Sequence, residues 1–166
     1  MDNLRALIVD DEPQSRSLIK KLLTDFFPDI ISEEASDVTM ALEKINSYYP
    51  DLIFLDVQLR GETGFDLLDK IPIINFGIIF TTAHSEFAVK AFRYSAIDYL
   101  MKPIEMEGFK IAVKKAIQKS NSLPAAPKKV TDKLQPFLFY LNKITLHQFI
   151  SFDKYWPHIR HTWIFR

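Results

Sequence analysis

The sequence predicts a doubly wound α/β domain: one sheet of five parallel strands with helices on both faces. Two observations predict it. Apolar runs of strand length alternate five times with segments of helical period over the first 120 residues, and strictly alternating units imply a parallel sheet with right-handed crossovers. Acidic, hydroxyl and lysine side chains also recur where those strands end, which is where open α/β sheets bind their ligands.

The elements follow in order. LRALIVD (4–10) is a near-continuous apolar run, as expected of a strand buried on both faces. The next segment, DEPQSRSLIKKLLTDFF, places Leu18, Ile19, Leu22, Leu23 and Phe26 at helical spacing, with Pro13 early, where a helix tolerates it. DIISEEAS is a weaker second strand, and DVTMALEKINSYY repeats the helical pattern through Val38, Ala41, Leu42 and Ile45. A third strand covers Leu52–Asp56, and GETGFDLLDKI is a turn and a short helix. Gly77–Thr82 is the fourth strand, SEFAVKAFRYS a helix, AIDYLMK the fifth strand, and EMEGFKIAVKKAIQKS a closing amphipathic helix.

Composition narrows the chemistry. The chain has 166 residues, nearly half of them apolar and a quarter charged, as in a globular protein with a real core. It has no cysteine, which excludes disulfides, thiolate zinc sites and a cysteine nucleophile. No apolar run approaches the roughly 20 residues of a membrane span, and acidic residues interrupt the N-terminal apolar run, so a cytoplasmic location without membrane contact is expected.

A net charge of zero hides an asymmetry. Residues 1–120 carry 14 Lys+Arg against 19 Asp+Glu, whereas residues 121–166 carry 7 against 2. Three prolines fall in SNSLPAAPKKVTDKLQP (120–136). The expected organisation is a domain over 1–120, a linker over 121–136 and a basic, aromatic segment over 137–166. That last segment shows no clean period. His147, His158 and His161 there lack a carboxylate set at ligand spacing and read as non-ligands.

The strand ends carry the chemistry. Asp10 and Asp11 close the first strand, Asp56 the third, and Thr81 and Thr82 the fourth; Lys102 and Pro103 follow the fifth. Carboxylates crowded into one crevice repel one another. A hard divalent cation relieves that repulsion, and carboxylate oxygens suit Mg²⁺. A DD or KP pair alone is a common accident. The whole set at the correct strand ends is specific.

In this order and on these elements, the set resembles the response-regulator receiver domains of two-component systems, over about residues 4–119. The resemblance implies a flavodoxin-like sheet of order 2-1-3-4-5. It implies that Asp56 accepts a phosphoryl group from a sensor histidine kinase. Asp11, Asp56 and the Gln58 backbone carbonyl would bind Mg²⁺, with Asp10 acting mainly through water. Lys102 and Thr82 would contact phosphoryl oxygens, across a cis Lys102–Pro103 peptide. Tyr99 would be the aromatic switch that turns inward when Thr82 is recruited. His84 and Gln58 would tune the lifetime of the phosphorylated state. Such a domain signals; it is not expected to be an enzyme beyond weak self-phosphorylation and autodephosphorylation.

FTTAHSEFAVKAFRYSAIDYLMKP (80–103) resembles more narrowly the receivers of LytR/AlgR-type regulators, which carry LytTR DNA-binding domains. That implies a transcription regulator pairing as a homodimer through the fourth helix, fifth strand and fifth helix. The 137–166 segment is too short for a LytTR domain. It is expected to be out-of-frame sequence, a truncated or vestigial output, or a short output of its own, and DNA would be a partner only of an intact output domain. The alternative is a stand-alone receiver acting by protein contact or as a phosphate sink. An aspartyl phosphatase is disfavoured, because Val57 and Gln58 follow Asp56 where such hydrolases place a second aspartate two residues on.

Overall fold

The computed structural model describes residues 4–122. Five strands form one parallel sheet: β1 (Leu4–Val9), β2 (Ile30–Ala35), β3 (Leu52–Leu55), β4 (Gly77–Thr82) and β5 (Asp98–Met101), in the order β2-β1-β3-β4-β5. This is the expected 2-1-3-4-5 sheet. Between and after the strands lie α1 (Pro13–Phe26), α2 (Val38–Tyr48), α3 (Gly64–Asp69), α4 (Ala88–Phe92) and α5 (Met106–Ser122).

The period of two within each strand divides the core. Leu7, Val9, Ile53, Leu55, Ile78 and Phe80 point to one face, where residues of α2, α3 and α4 cover them. Ala6, Ile8, Leu52, Phe54 and Ile79 point to the other, beneath Ile19 and Leu23 of α1 and Phe109, Ala112 and Val113 of α5. Covering both faces is what demands the apolar runs at residues 6–9 of β1 and Leu52–Leu55 of β3. Phe54 stacks on Phe109 with ring centroids 5.5 Å apart, tying the central strand to the last helix.

Local sequence sets the boundaries. Pro13 opens α1 in the first turn. Asp37 caps α2 by accepting from the Met40 N–H at 2.8 Å, and Tyr49 ends that helix in the left-handed region. Thr63 and Asp66 form a reciprocal capping box at the start of α3.

Three details differ from the sequence expectation. The segment 85–95 is not one helix but a 3₁₀ turn (Ser85–Phe87) followed by the short α4, and Ser95 then adopts φ 54°. A two-residue antiparallel ladder, Gln58–Leu59 with Glu62–Thr63, occupies the turn before α3. The closing helix runs to Ser122, two residues into the expected linker. The rest of that linker, and the segment 137–166, lie outside the described residues. Among the described residues no helix is long and apolar enough to cross a membrane.

Candidate functional site

The sheet aligns the residues that follow its strands. Asp10 N–H donates to the Ala35 carbonyl at 3.2 Å, Asp56 N–H to Val9 at 2.9 Å, and Lys102 N–H to Thr82 at 2.8 Å. The parallel ladder thus continues one residue past its strands, and it fixes Asp10, Asp56, Thr82 and Lys102 at the carboxyl end of the sheet. The Lys102–Pro103 peptide is cis, as expected.

Lys102 is the hub. Its Nζ lies 2.6 Å from Asp56 Oδ2, 2.8 Å from Asp10 Oδ2 and 3.6 Å from Glu12 Oε2. Asp10 is fully buried and Asp56 nearly so. Burial pushes the Asp10 carboxyl above the usual carboxylate range, against the opposing pull of Lys102. Burial also acts to lower the Lys102 pKa, but its contacts with the Asp10 and Asp56 carboxylates outweigh that and raise it. The ammonium is therefore held charged, as the carboxylates around it require.

One cation does not satisfy this cluster. Asp10, Asp11 and Asp56 each offer a carboxylate oxygen, and these atoms lie within 4.8 Å of one another. Asp10 Oδ2 is buried and, although in ion-pair contact with Lys102, has no partner in good hydrogen-bond geometry. A buried anionic oxygen with spare acceptor capacity, beside two further carboxylates, fits a hard divalent cation such as Mg²⁺. The cluster faces an open cleft of about 740 Å³, lined among others by Asp11, Glu12, Asp56, Thr82, His84 and Lys102.

The other expected residues gather here too. Thr82 lines the cleft and its Oγ1 accepts from the His84 N–H at 3.3 Å. Thr81 is equally buried but does not line the cleft, and its hydroxyl has no hydrogen-bond partner. Gln58 lines the cleft, and its N–H donates to Asp56 Oδ1 at 3.1 Å. Tyr99 is half-buried, its ring tilted against Phe80 at 6.0 Å. Its hydroxyl donates to the His84 carbonyl. Burial, with Glu86 and Asp56 nearby, pushes its phenol pKa up.

Three residues that position the site escaped the sequence reading. Arg16 Nη1 donates to the Asp10 carbonyl at 2.6 Å while its Nε donates to Glu34, so α1 and β2 brace the Asp10 backbone. Gly64 lies beneath the Asp56 loop. A Cβ there would meet the Asp56 carbonyl oxygen at 2.3 Å, so only glycine allows this approach. Its signal was a lone glycine just ahead of an apolar helix start. Glu12 was visible only as the third acidic residue in DDE, with nothing in the sequence to bring it to Lys102.

A 2-1-3-4-5 parallel sheet with three carboxylates and a lysine at its switch point defines a receiver-type signalling domain. The chain belongs to the response-regulator receiver family: the family model described as "Response regulator receiver domain" matches residues 6–114. It is 43% identical over 125 residues to the "Sensory transduction protein LytR" of Staphylococcus haemolyticus, covering 72% of this chain and 49% of that protein. It is 39% identical over 114 residues to the "Sensory transduction protein LytT" of Bacillus subtilis, covering 68% and 47%. The chain thus spans about half the length of the curated relatives it matches. Among solved structures it is similar to the receiver domain of NtrX from Brucella abortus, with TM-score 0.63 and 32% identity over 69% of this chain and 99% of that one. It is also similar to the signal receiver domain of a putative Luxo repressor protein from Vibrio parahaemolyticus, with TM-score 0.66 and 28% identity over 72% and 93%.

Proposed function

We propose that Asp56 is the phosphoacceptor of a two-component response regulator, charged by a sensor histidine kinase. The observation that carries this reading is the 2.6 Å contact between Lys102 Nζ and Asp56 Oδ2 inside the acidic cluster. An Asp56 carboxylate oxygen attacks phosphorus. The new P–O bond forms as the P–N bond of the phosphohistidine breaks, and the bonding pair returns to the imidazole. An ionised carboxylate needs no general base for this step.

The chain's own groups then have clear tasks. Lys102 neutralises charge on a phosphoryl oxygen, and the Thr82 hydroxyl donates to another. Asp10, Asp11 and Asp56, with the Gln58 backbone carbonyl, would hold Mg²⁺, which when bound neutralises further phosphoryl charge. The product adds roughly −1.5 to −2 charge beside Thr82. Thr82 is bonded to the His84 N–H, and Tyr99 to the His84 carbonyl, so a displaced Thr82 reaches Tyr99 through one residue.

The readout surface is α4-β5-α5. Val89 and Phe92 of α4 are 78% and 81% exposed, and Met101 of β5 is 41% exposed. Apolar side chains so exposed suit pairing with a second copy upon phosphorylation. The names of the LytR and LytT relatives support a role in sensory transduction, and the likeness of residues 80–103 to LytR/AlgR-type receivers supports an output that acts on transcription through a LytTR-type domain. A cytoplasmic site of action fits that role.

Intact mass spectrometry after incubation with acetyl phosphate and Mg²⁺ tests the assignment. One phosphoryl adduct is expected on the wild type and none on Asp56→Asn. An adduct surviving in Asp56→Asn, or none in the wild type, overturns it.

A further inference from the structure

Glu12 lines the cleft onto which Asp56 and Lys102 open. Its backbone N–H donates to Asp10 Oδ1 at 2.9 Å, so its main chain is fixed to the acidic cluster. Its Oε2 accepts from Ser15 Oγ at 3.0 Å. The same oxygen stands 3.6 Å from Lys102 Nζ. Lys102 is thus shared by three carboxylates, two of them buried; Glu12 alone is open to solvent, with its side chain 66% exposed. It lines the cleft from α1's side, and the Ser15 bond engages the same carboxylate oxygen that faces Lys102.

The charge at that point has two effects. It competes with an entering phosphoryl oxygen for the Lys102 ammonium, and it repels the donor itself. The repulsion scales with donor charge at a given distance. A dianion is therefore disfavoured about twice as strongly, in energy, as a monoanion in the same place. A side chain so exposed acts in part through water, so added salt weakens the effect.

We propose that Glu12, anchored by Ser15, is a specificity-determining residue that biases the Asp56 site against dianionic small-molecule phosphodonors. The inference rests on the Asp56 reading above. Glu12 acts through Lys102 and through space, and it takes no part in the bond exchange. Free acyl phosphates then label the site slowly, leaving it available to a donor delivered on a protein surface.

Acetyl phosphate and phosphoramidate provide the test, because near neutral pH the first is a dianion and the second carries one net negative charge. Labelling of the full chain is followed by intact mass against donor concentration, at low and high salt, for wild type, Glu12→Gln, Glu12→Asp and Ser15→Ala. Glu12→Gln is expected to lower the half-saturating acetyl phosphate concentration by roughly threefold to tenfold at low salt. Phosphoramidate should shift by less, and the gap should shrink at high salt. Ser15→Ala should show a smaller change in the same direction, and Glu12→Asp should stay nearest to wild type. Titration calorimetry with Mg²⁺ alone supplies an independent readout. Equal shifts for both donors, or shifts that merely track a changed Mg²⁺ affinity, overturn the proposal. Wild-type protein unlabelled by either donor would strike the Asp56 assignment first, and this inference with it.

Discussion

The hydroxyl of Tyr99 donates its hydrogen bond to the backbone carbonyl of His84, joining β5 to the loop that follows β4 across 15 residues of sequence. The same His84 offers its N–H to Thr82 Oγ1. Tyr99→Phe keeps the ring on Phe80 and deletes only the bond. Stability should fall by about 0.5–1.5 kcal/mol in denaturant melts. Phosphoryl labelling of Asp56 should persist. Lost labelling would place Tyr99 in the chemistry rather than in the relay.

His84 lines the cleft with its ring paired to Glu86, Nδ1 to Oε1 at 3.1 Å, and set edge-on against Phe87. A side chain held this way can crowd or orient the water that hydrolyses an acyl phosphate. His84→Ala should therefore change the dephosphorylation rate. Decay of the phosphorylated mass after donor removal measures it, and a rate equal to wild type rejects the role.

Gly64 tests how tightly the Asp56 loop is built. Its N–H donates to the Val57 carbonyl at 2.9 Å, and a Cβ would strike both the Asp56 carbonyl oxygen and the Leu55 side chain. Backbone cannot yield as a flexible side chain can. Gly64→Ala should cost about 1–3 kcal/mol, as overpacking does. Labelling should slow as well, because the strained atom belongs to Asp56. A variant that melts like wild type would show that the loop is free to move.

Much of this site was legible in the sequence, and for a physical reason. A strand buried on both faces reads as an apolar run, so the first polar residue after it marks the carboxyl end of the sheet: Asp10 after Val9, Asp56 after Leu55. What the sequence concealed is tertiary. Leu18 falls in the helical apolar pattern, yet it is 42% exposed and lines the cleft instead of the core. The segment 85–95 has the composition of one helix. Only Ala91 of α4 is buried, however, and Ser95 turns left-handed, so packing supports only a short helix there. The contact of Glu12 with Lys102 depends on a fold that joins residues 90 positions apart, and no periodicity records it.

The carboxylate cluster predicts a metal dependence of stability. Three oxygens within 4.8 Å carry more negative charge than Lys102 balances. A cation that binds the folded state alone stabilises it by mass action, about 2.7 kcal/mol at ~100 times Kd. Mg²⁺ should therefore raise Tm, and chelation should reverse the gain. Asp11→Asn, which removes a candidate ligand without touching Lys102, should blunt the response. An equal Tm gain in that variant would remove Asp11 from the metal set.

The last prediction concerns α4's attachment. Tyr94, just past α4, packs on Phe65 of α3 with ring centroids 5.4 Å apart, and its hydroxyl donates to Asp69 Oδ1 at 2.8 Å. Burial first, and the Asp69 carboxylate second, push the Tyr94 phenol from 10.0 up to about 12. A raised acid favours the protonated folded state. Its contribution is whole below the unfolded value of 10.0 and is lost as pH climbs toward about 12. Tyr94→Phe lacks both the bond and the titration. At neutral pH it should be less stable by about 0.5 kcal/mol, the low end for a hydrogen bond because the pair is exposed. Above pH 10.0 the wild type should lose that lead, and the two stability curves should meet and cross before pH reaches about 12. Comparing the two proteins cancels the lysines and other tyrosines that titrate in the same range. Parallel curves across that window would mean that the Tyr94–Asp69 bond does not hold α4 to α3.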